Sequence, residues 1–227
     1  MQLNQTKLSQ PQEKITLYEV TWKEYDTLVT LFMDRFPGLS MTFLEGTLEI
    51  MGTSSEHERL KKIIARLLEM YAVEKRVIFN GYGNTTFRKE AVKRGLEPDE
   101  CYCLGELKEV PDIAIEIALT SGENPRRRQD VPYKRLGRPQ ATGTPQGNAH
   151  QESGGIDKLS VYQGLGVVEV WFWQNNLFIL YRLKQGEYQQ IDRSEFLPYL
   201  DFNLLSQYVN YDNQTEAVIA YRDALKN

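Results

Sequence analysis

The sequence is short of several things, and each shortage excludes a class of protein. Cysteine occurs only twice in 227 residues, as Cys101 and Cys103. A spacing of one residue puts both on the same face of a strand, and no partner set exists for a four-ligand zinc site or a disulfide framework. There is no excess of positive charge either, since 27 Lys+Arg stand against 31 Asp+Glu for a net charge of −4. That excludes a globally basic nucleic-acid binder but leaves room for a local basic groove. No run approaches the roughly 18–20 apolar residues of a membrane span. The first residues, MQLNQTKLSQPQEK, lack the apolar stretch of a secretory signal. The expectation is a cytoplasmic protein with reduced thiols and no membrane partner. No glycine-rich phosphate loop, HExxH, GxSxG or paired-cysteine motif is present.

What is present, 41% hydrophobic and 26% charged residues, is the composition of a globular protein with a sizeable core. Beyond a polar tail at 1–17, Thr21-Trp22-Lys23-Glu24 reads as a capping box opening a helix that Pro37-Gly38 stops near Phe36. Residues 41–51 read as two strands hinged at Glu45-Gly46. Ser55-Glu56-His57-Glu58 reads as a second capping box. It opens a helix with Leu60, Ile63, Ile64, Leu67, Leu68 and Tyr71 on one face.

Strand-like pieces follow at Val77–Phe79, Thr85–Arg88, 99–104 and 113–119. In the last, Ile113, Ile115, Ile117 and Leu119 alternate with Asp112, Ala114, Glu116 and Ala118. A short helix is expected near 156–163, then a three-strand meander at 168–173, 177–183 and 187–191, and a closing helix over 215–225. The fold class is therefore α/β of the α+β kind, a central mixed sheet flanked by helices.

Residues 121–152 break this order. They hold four of the nine prolines, and neither a helical nor a strand period crosses them. Ser-Gly stands at 121–122 and again at 153–154, so removing 32 residues leaves a continuous IEIALTSGGIDKLSVY. The segment reads as a disordered guest inserted into a host domain over 18–227. It carries six Lys+Arg against three Asp+Glu, so the host alone has 21 against 28 and is distinctly acidic. The Arg126-Arg127-Arg128 cluster belongs to the guest and reads as incidental to any chemistry.

The candidate chemistry is acidic. Glu116 stands on the polar face of a strand whose other face is aliphatic, an expensive place for a carboxylate without a cation or donors. Asp99 enters a neighbouring strand. Two such carboxylates make a hard-oxygen site for Mg2+ (or Mn2+), and Asp99 and Glu116 are the candidate metal ligands. Lys158, ten residues after Glu116 once the guest is set aside, falls on the first turn of the next helix and can complete a hydrolytic site. Taken singly, Lys158 reads as a solvated helix lysine and Asp99 as a turn residue; only the constellation favours the chemical reading. His57 reads either as a contact at the site's edge or as a first-turn histidine bonded to backbone. Glu45 reads either as a third ligand or supporting base, or as an exposed turn residue. Val170-Trp171-Phe172-Trp173 reads as core rather than a base-stacking platform. Asn84, Thr85, Thr86 and Arg88 form a polar-basic strand that could touch phosphates.

The stretches FLEGTLEIM, SSEHERL, GLEPDECY, VPDIAIEIALTSG, GGIDKLSVYQGLGVVEVWFW and FILYRLKQGEYQQ, in this order over about residues 18–210, resemble the Uma-type family of restriction endonucleases, formerly a domain of unknown function. That family lies within the PD-(D/E)xK nuclease superfamily. The resemblance implies a restriction-endonuclease-like core that cleaves DNA phosphodiester bonds with a divalent metal, with a homodimer as one arrangement. It implies catalytic roles for Asp99, Glu116 and Lys158, with Glu45 and His57 matching family segments of less defined role. The superfamily's usual E-x-K places lysine at position 118, where Ala118 stands, and the resemblance moves that role to Lys158. Val168 replaces the proline of the family's V-P-E-V-W pattern. The runner-up reading is a nuclease-like fold that no longer cuts and binds nucleic acid or protein.

Overall fold

In a computed structural model of the chain, residues 14–32, 35–36, 38–82, 85–119 and 155–226 are described. The proposed guest at 121–152, most of the polar tail, Asn84 and the Pro37 of the helix stop lie outside them.

The first elements among the described residues are strand β1 (Lys14–Leu17) and helix α1 (Trp22–Phe32). The Thr21–Glu24 box caps α1 as the sequence suggests. Thr21 N–H and Oγ1 both donate to Glu24, and the Glu24 N–H returns to Thr21 Oγ1. The helix is described to Phe32, and residues 33–34, between it and the expected end at Phe36, lie outside the described residues.

Hairpin β2 (Leu39–Leu44) and β3 (Thr47–Gly52) follows, turning at Glu45 and Gly46, both at positive φ as a tight hairpin turn requires. Helix α2 spans Ser55–Lys75. Its cap is Ser54 rather than Ser55. The Ser54 hydroxyl accepts the His57 N–H at 3.2 Å, which sets His57 in the first turn facing inward. Short strands β4 (Phe79–Gly81), β5 (Phe87–Lys89) and β6 (Arg94–Leu96) lead to β7 (Glu100–Leu104) and β8 (Ile113–Ala118). Helix α3 (Lys158–Leu165), strands β9 (Glu169–Gln174), β10 (Leu177–Lys184) and β11 (Glu187–Ile191), and helices α4 (Phe202–Val209) and α5 (Gln214–Ala224) complete the fold.

The strands form two sheets. The six-stranded one has the order β11-β10-β9-β8-β7-β4 and is mixed, with β8 and β9 parallel and its other neighbours antiparallel. A parallel pair needs a crossover, and α3 lies in it. The second sheet, β1-β3-β2-β6-β5, is antiparallel throughout. The sequence reading anticipated one sheet. The strand expected at Thr85–Arg88 overlaps β5 and the pair at 41–51 is β2 and β3, but β1 and β6, four and three residues long, carry too little period to reveal the second sheet.

The alternation in β8 decides the layers. Ile113, Ile115 and Ile117 pack with Trp171 and Trp173 against α2, α4 and α5. Ala114, Val170 and Phe172 face α3 together with Phe87 and Leu96 of the second sheet. The aromatic run is thus core, as expected. Glu116 lies on the α3 side, the polar exception on that face. A separate small core joins α1 to β2 and β3 through Tyr25, Val29, Met41, Phe43 and Leu48. Both cysteines are free and buried.

Candidate active site

The register of β7 against β8 pairs Glu100 with Ile115. One residue further, Asp99 stands opposite Glu116. Asp99 Oδ2 accepts the Ile117 N–H at 2.7 Å and meets His57 Nε2 at 3.1 Å. Asp112, the other aspartate that follows a proline in these motifs, does structural work. It accepts the Leu104 N–H at 2.8 Å and pairs with Lys108, closing the β7–β8 turn.

Glu116 is almost fully buried, with a side chain 2% exposed. Lys158 Nζ donates to its Oε2 at 2.5 Å, and the Tyr162 hydroxyl donates to Oε1. Lys158 and Tyr162 are four residues apart and share one face of α3, so a single helix turn presents both to the carboxylate. Asp157 caps the helix through the Leu159 N–H at 3.1 Å and also receives the Ser160 hydroxyl at 2.7 Å. Ahead of the cap, the Ile156 N–H donates at 2.8 Å to Glu49, a buried carboxylate in β3. The start of α3 is therefore tied to the second sheet.

The charges of the group are linked. Burial pushes Glu116 up, the nearby Asp99 charge adds to the rise, and Lys158 and Tyr162 do not cancel it. Burial also opposes the ionised Asp99, but the hydrogen bond and charge of His57, then Lys158 and the Ile117 N–H, hold it below its ordinary value. Burial disfavours a charged His57, yet the Asp99 hydrogen bond and charge outweigh it and raise the imidazole. Its Nδ1 faces Glu58 at 3.6 Å. Two further carboxylates border the site: burial raises Glu97, and pushes Glu100 up to about 7.

Four of the five residues singled out from the sequence thus converge: Asp99, Glu116, Lys158 and His57. Glu45 lies elsewhere. It sits at the tip of the β2–β3 hairpin, 65% exposed, and pairs with Arg94 at 2.9 Å. Arg88 of the polar-basic strand pairs with Asp26 at 2.7 Å. Two contributors went unnoticed in the sequence. Tyr162 was signalled by its spacing from Lys158. Glu49, flanked by Leu48 and Ile50, was signalled by the same polar-in-aliphatic alternation that marked Glu116.

The donor set fits a divalent cation such as Mg2+. Burial raises Glu116 first and the charge of the facing Asp99 adds to it, and a cation held by the two carboxylates would offset both. Mg2+ is held by one or two carboxylates and completes its shell with water and phosphate oxygens. A full protein cage is not needed, and among the described residues no group of three or more His, Cys, Asp or Glu is placed to form one. No helix among the described residues is long and apolar enough to cross a membrane.

Compared with known families, residues 22–209 match the Uma2 family, described as "Putative restriction endonuclease". Comparison with curated proteins finds no match.

Proposed function

The chain belongs to the Uma2 family of restriction-endonuclease-like proteins, and from that premise we propose that it hydrolyses phosphodiester bonds in DNA at the Asp99–Glu116–Lys158 centre. The observation that carries the proposal is the meeting of two facing carboxylates with a lysine whose ammonium lies 2.5 Å from one of them. Asp99 and Glu116 would hold a divalent ion, Mg2+ or Mn2+. Such an ion supplies Lewis-acid polarisation of the phosphate and neutralises its developing charge.

The remaining steps belong to side chains. Lys158, anchored on the capped first turn of α3, donates toward a non-bridging phosphate oxygen or toward the attacking water. Its positive charge offsets the charge that builds on the phosphorane-like transition state. Tyr162 fixes the second Glu116 oxygen and so the rotamer of that carboxylate. His57 orients Asp99 from the opposite side and is a positioning residue. Glu49 holds the chain entering α3, which keeps Lys158 in place. A positioning error of about 1 Å can cost about 100-fold in rate.

The test is plasmid nicking with Mg2+ or Mn2+. Asp99→Ala, Glu116→Ala and Lys158→Met should each lose at least about 100-fold relative to the parent, with Tyr162→Phe losing less. Equal nicking by the parent and all three variants would refute the assignment.

A further inference from the structure

Six residues after Lys158, Gly164 and its neighbour Gln163 border a cleft of about 840 Å³ that none of the proposed catalytic residues lines. Its other walls include Trp22 at the start of α1, Glu45 at the hairpin tip, and Lys93 and Arg94 at the start of β6. The volume is that of a site for a small organic group. At 1.5 Å per residue, Gly164 is about 9 Å along α3 from Lys158, the rise of two to three stacked nucleotides at about 3.4 Å each.

The cleft is built from three loops held in an uncommon backbone state. Glu19, Glu45 and Lys93 have φ of 59°, 45° and 50°, a conformation L-residues rarely adopt. The loops are stitched together by Val20 N–H to Gly46 O at 2.9 Å and Glu45 N–H to Lys93 O at 3.1 Å. Arg94 crosses to α3, where its Nε donates to the Ser160 carbonyl at 3.0 Å. Gly164 makes this crossing possible, because a Cβ there would stand 2.1 Å from Arg94 Cδ. The cleft is thus coupled to the helix that carries Lys158.

Its chemistry suits a base rather than a phosphate. Glu19 and Glu45 balance Lys93 and Arg94, so the walls offer no net positive charge. Glu45 stays 65% exposed although it pairs with Arg94. Trp22 is held edge-on by Tyr25 and Phe43 at 5.3 and 5.8 Å. A partly exposed indole beside an accessible carboxylate offers a stacking surface and an acceptor for an exocyclic amino group.

We propose that this cleft receives an unstacked, amino-bearing nucleobase of the DNA strand, two to three nucleotides from the bond cleaved at Lys158, with Glu45 and Trp22 as specificity-determining residues. The proposal rests on the nuclease reading for the identity of the strand. It predicts preference for cytosine over thymine, since thymine carries no amino group for Glu45 to accept from.

The protein carries its own probe. Trp171 and Trp173 are 0% and 2% exposed, so quenching by a ligand reports on Trp22. The full chain is titrated with the octanucleotides d(C)8 and d(T)8, and with dCMP, in EDTA so that no cleavage occurs. The expected result is quenching by d(C)8 at least about tenfold tighter than by d(T)8, with dCMP weaker than d(C)8. Glu45→Gln should bring the two oligonucleotides within about twofold, and Trp22→Phe should lose the signal. Equal affinity for both oligonucleotides in the parent, or quenching that survives Trp22→Phe, overturns the proposal. Tighter binding of dCMP than of d(C)8 would mean a free-nucleotide site and overturns it too. The same preparations are then assayed for plasmid nicking with Mg2+. Nicking without base discrimination removes the cleft proposal alone, whereas discrimination without nicking removes the nuclease reading.

Discussion

Glu116 and His57 share the neighbour Asp99, whose charge works against the ionised form of one and in favour of the protonated form of the other. Glu116 is buried beside a like charge, which makes its ionised form expensive; His57 is buried beside an opposite charge, which makes its protonated form favourable. The His57–Asp99 pair therefore has a defined pH window. Asp99, lowered in the fold, contributes stability above its unfolded value near 3.9 and loses it as pH falls through the folded value. His57, raised in the fold, contributes fully below about 6.5 and loses that contribution as pH rises through its folded value. The pair is worth most between about pH 4 and 6.5. In metal-free urea unfolding, His57→Asn should cost more stability at pH 5.5 than at pH 9; equal costs at both would show that Asp99 does not stabilise the protonated imidazole. The sequence offered two readings of His57, and what separates them is a 3.1 Å contact between residues 42 positions apart. No local pattern encodes that.

Among the elements, those with strong periods or capping chemistry were legible. The α1 capping box, the stripe of α2, the alternation of β8 and the β9–β11 meander all lie where their residues indicate. Of the short strands, β4 and β5 overlap the pieces expected at Val77–Phe79 and Thr85–Arg88, whereas β1 and β6 were not legible; β6 has no period to read, and its pairing with β2 and β5 defines it. Gly95 in β6 shows how tight that pairing is. A Cβ there would lie 2.2 Å from the Tyr25 hydroxyl oxygen, on the ring that stacks on Phe43 at 4.7 Å. Gly95→Ala should therefore destabilise the protein by about 1–3 kcal/mol through overpacking, read as a lower urea midpoint. No change would mean that Tyr25 moves aside freely. Glu169 on β9 is a contrasting polar lock. Fully buried, it accepts from Trp171, Arg182, Ser194 and the Glu195 N–H at 2.7–3.0 Å and so ties three segments together. It accounts for a carboxylate in an otherwise apolar strand without any catalytic role.

For the whole molecule, two sheets meet at α3, and the site lies where the six-stranded sheet, the first turn of α2 and the first turn of α3 converge. If 121–152 is a guest in a host domain, deleting it should leave the far-UV CD spectrum and cooperative unfolding intact. It should also stabilise the chain by no more than about 2 kcal/mol, the closure entropy of the longer loop. Loss of folding on deletion would show that the segment belongs to the domain. The sequence by itself determined the α+β class, the polar face of β8, the helix start that carries Lys158, and the family. Each is written in local periods, caps or ordered motifs, which depend on neighbours a few residues away. Only the tertiary structure decided that Asp99 faces Glu116, that His57 meets Asp99 while Glu45 borders a separate cleft, and that Tyr162 bonds Glu116 and Glu49 bonds the chain entering α3. Those outcomes depend on strand register and helix docking, where groups 18 to 107 residues apart share one set of hydrogen bonds.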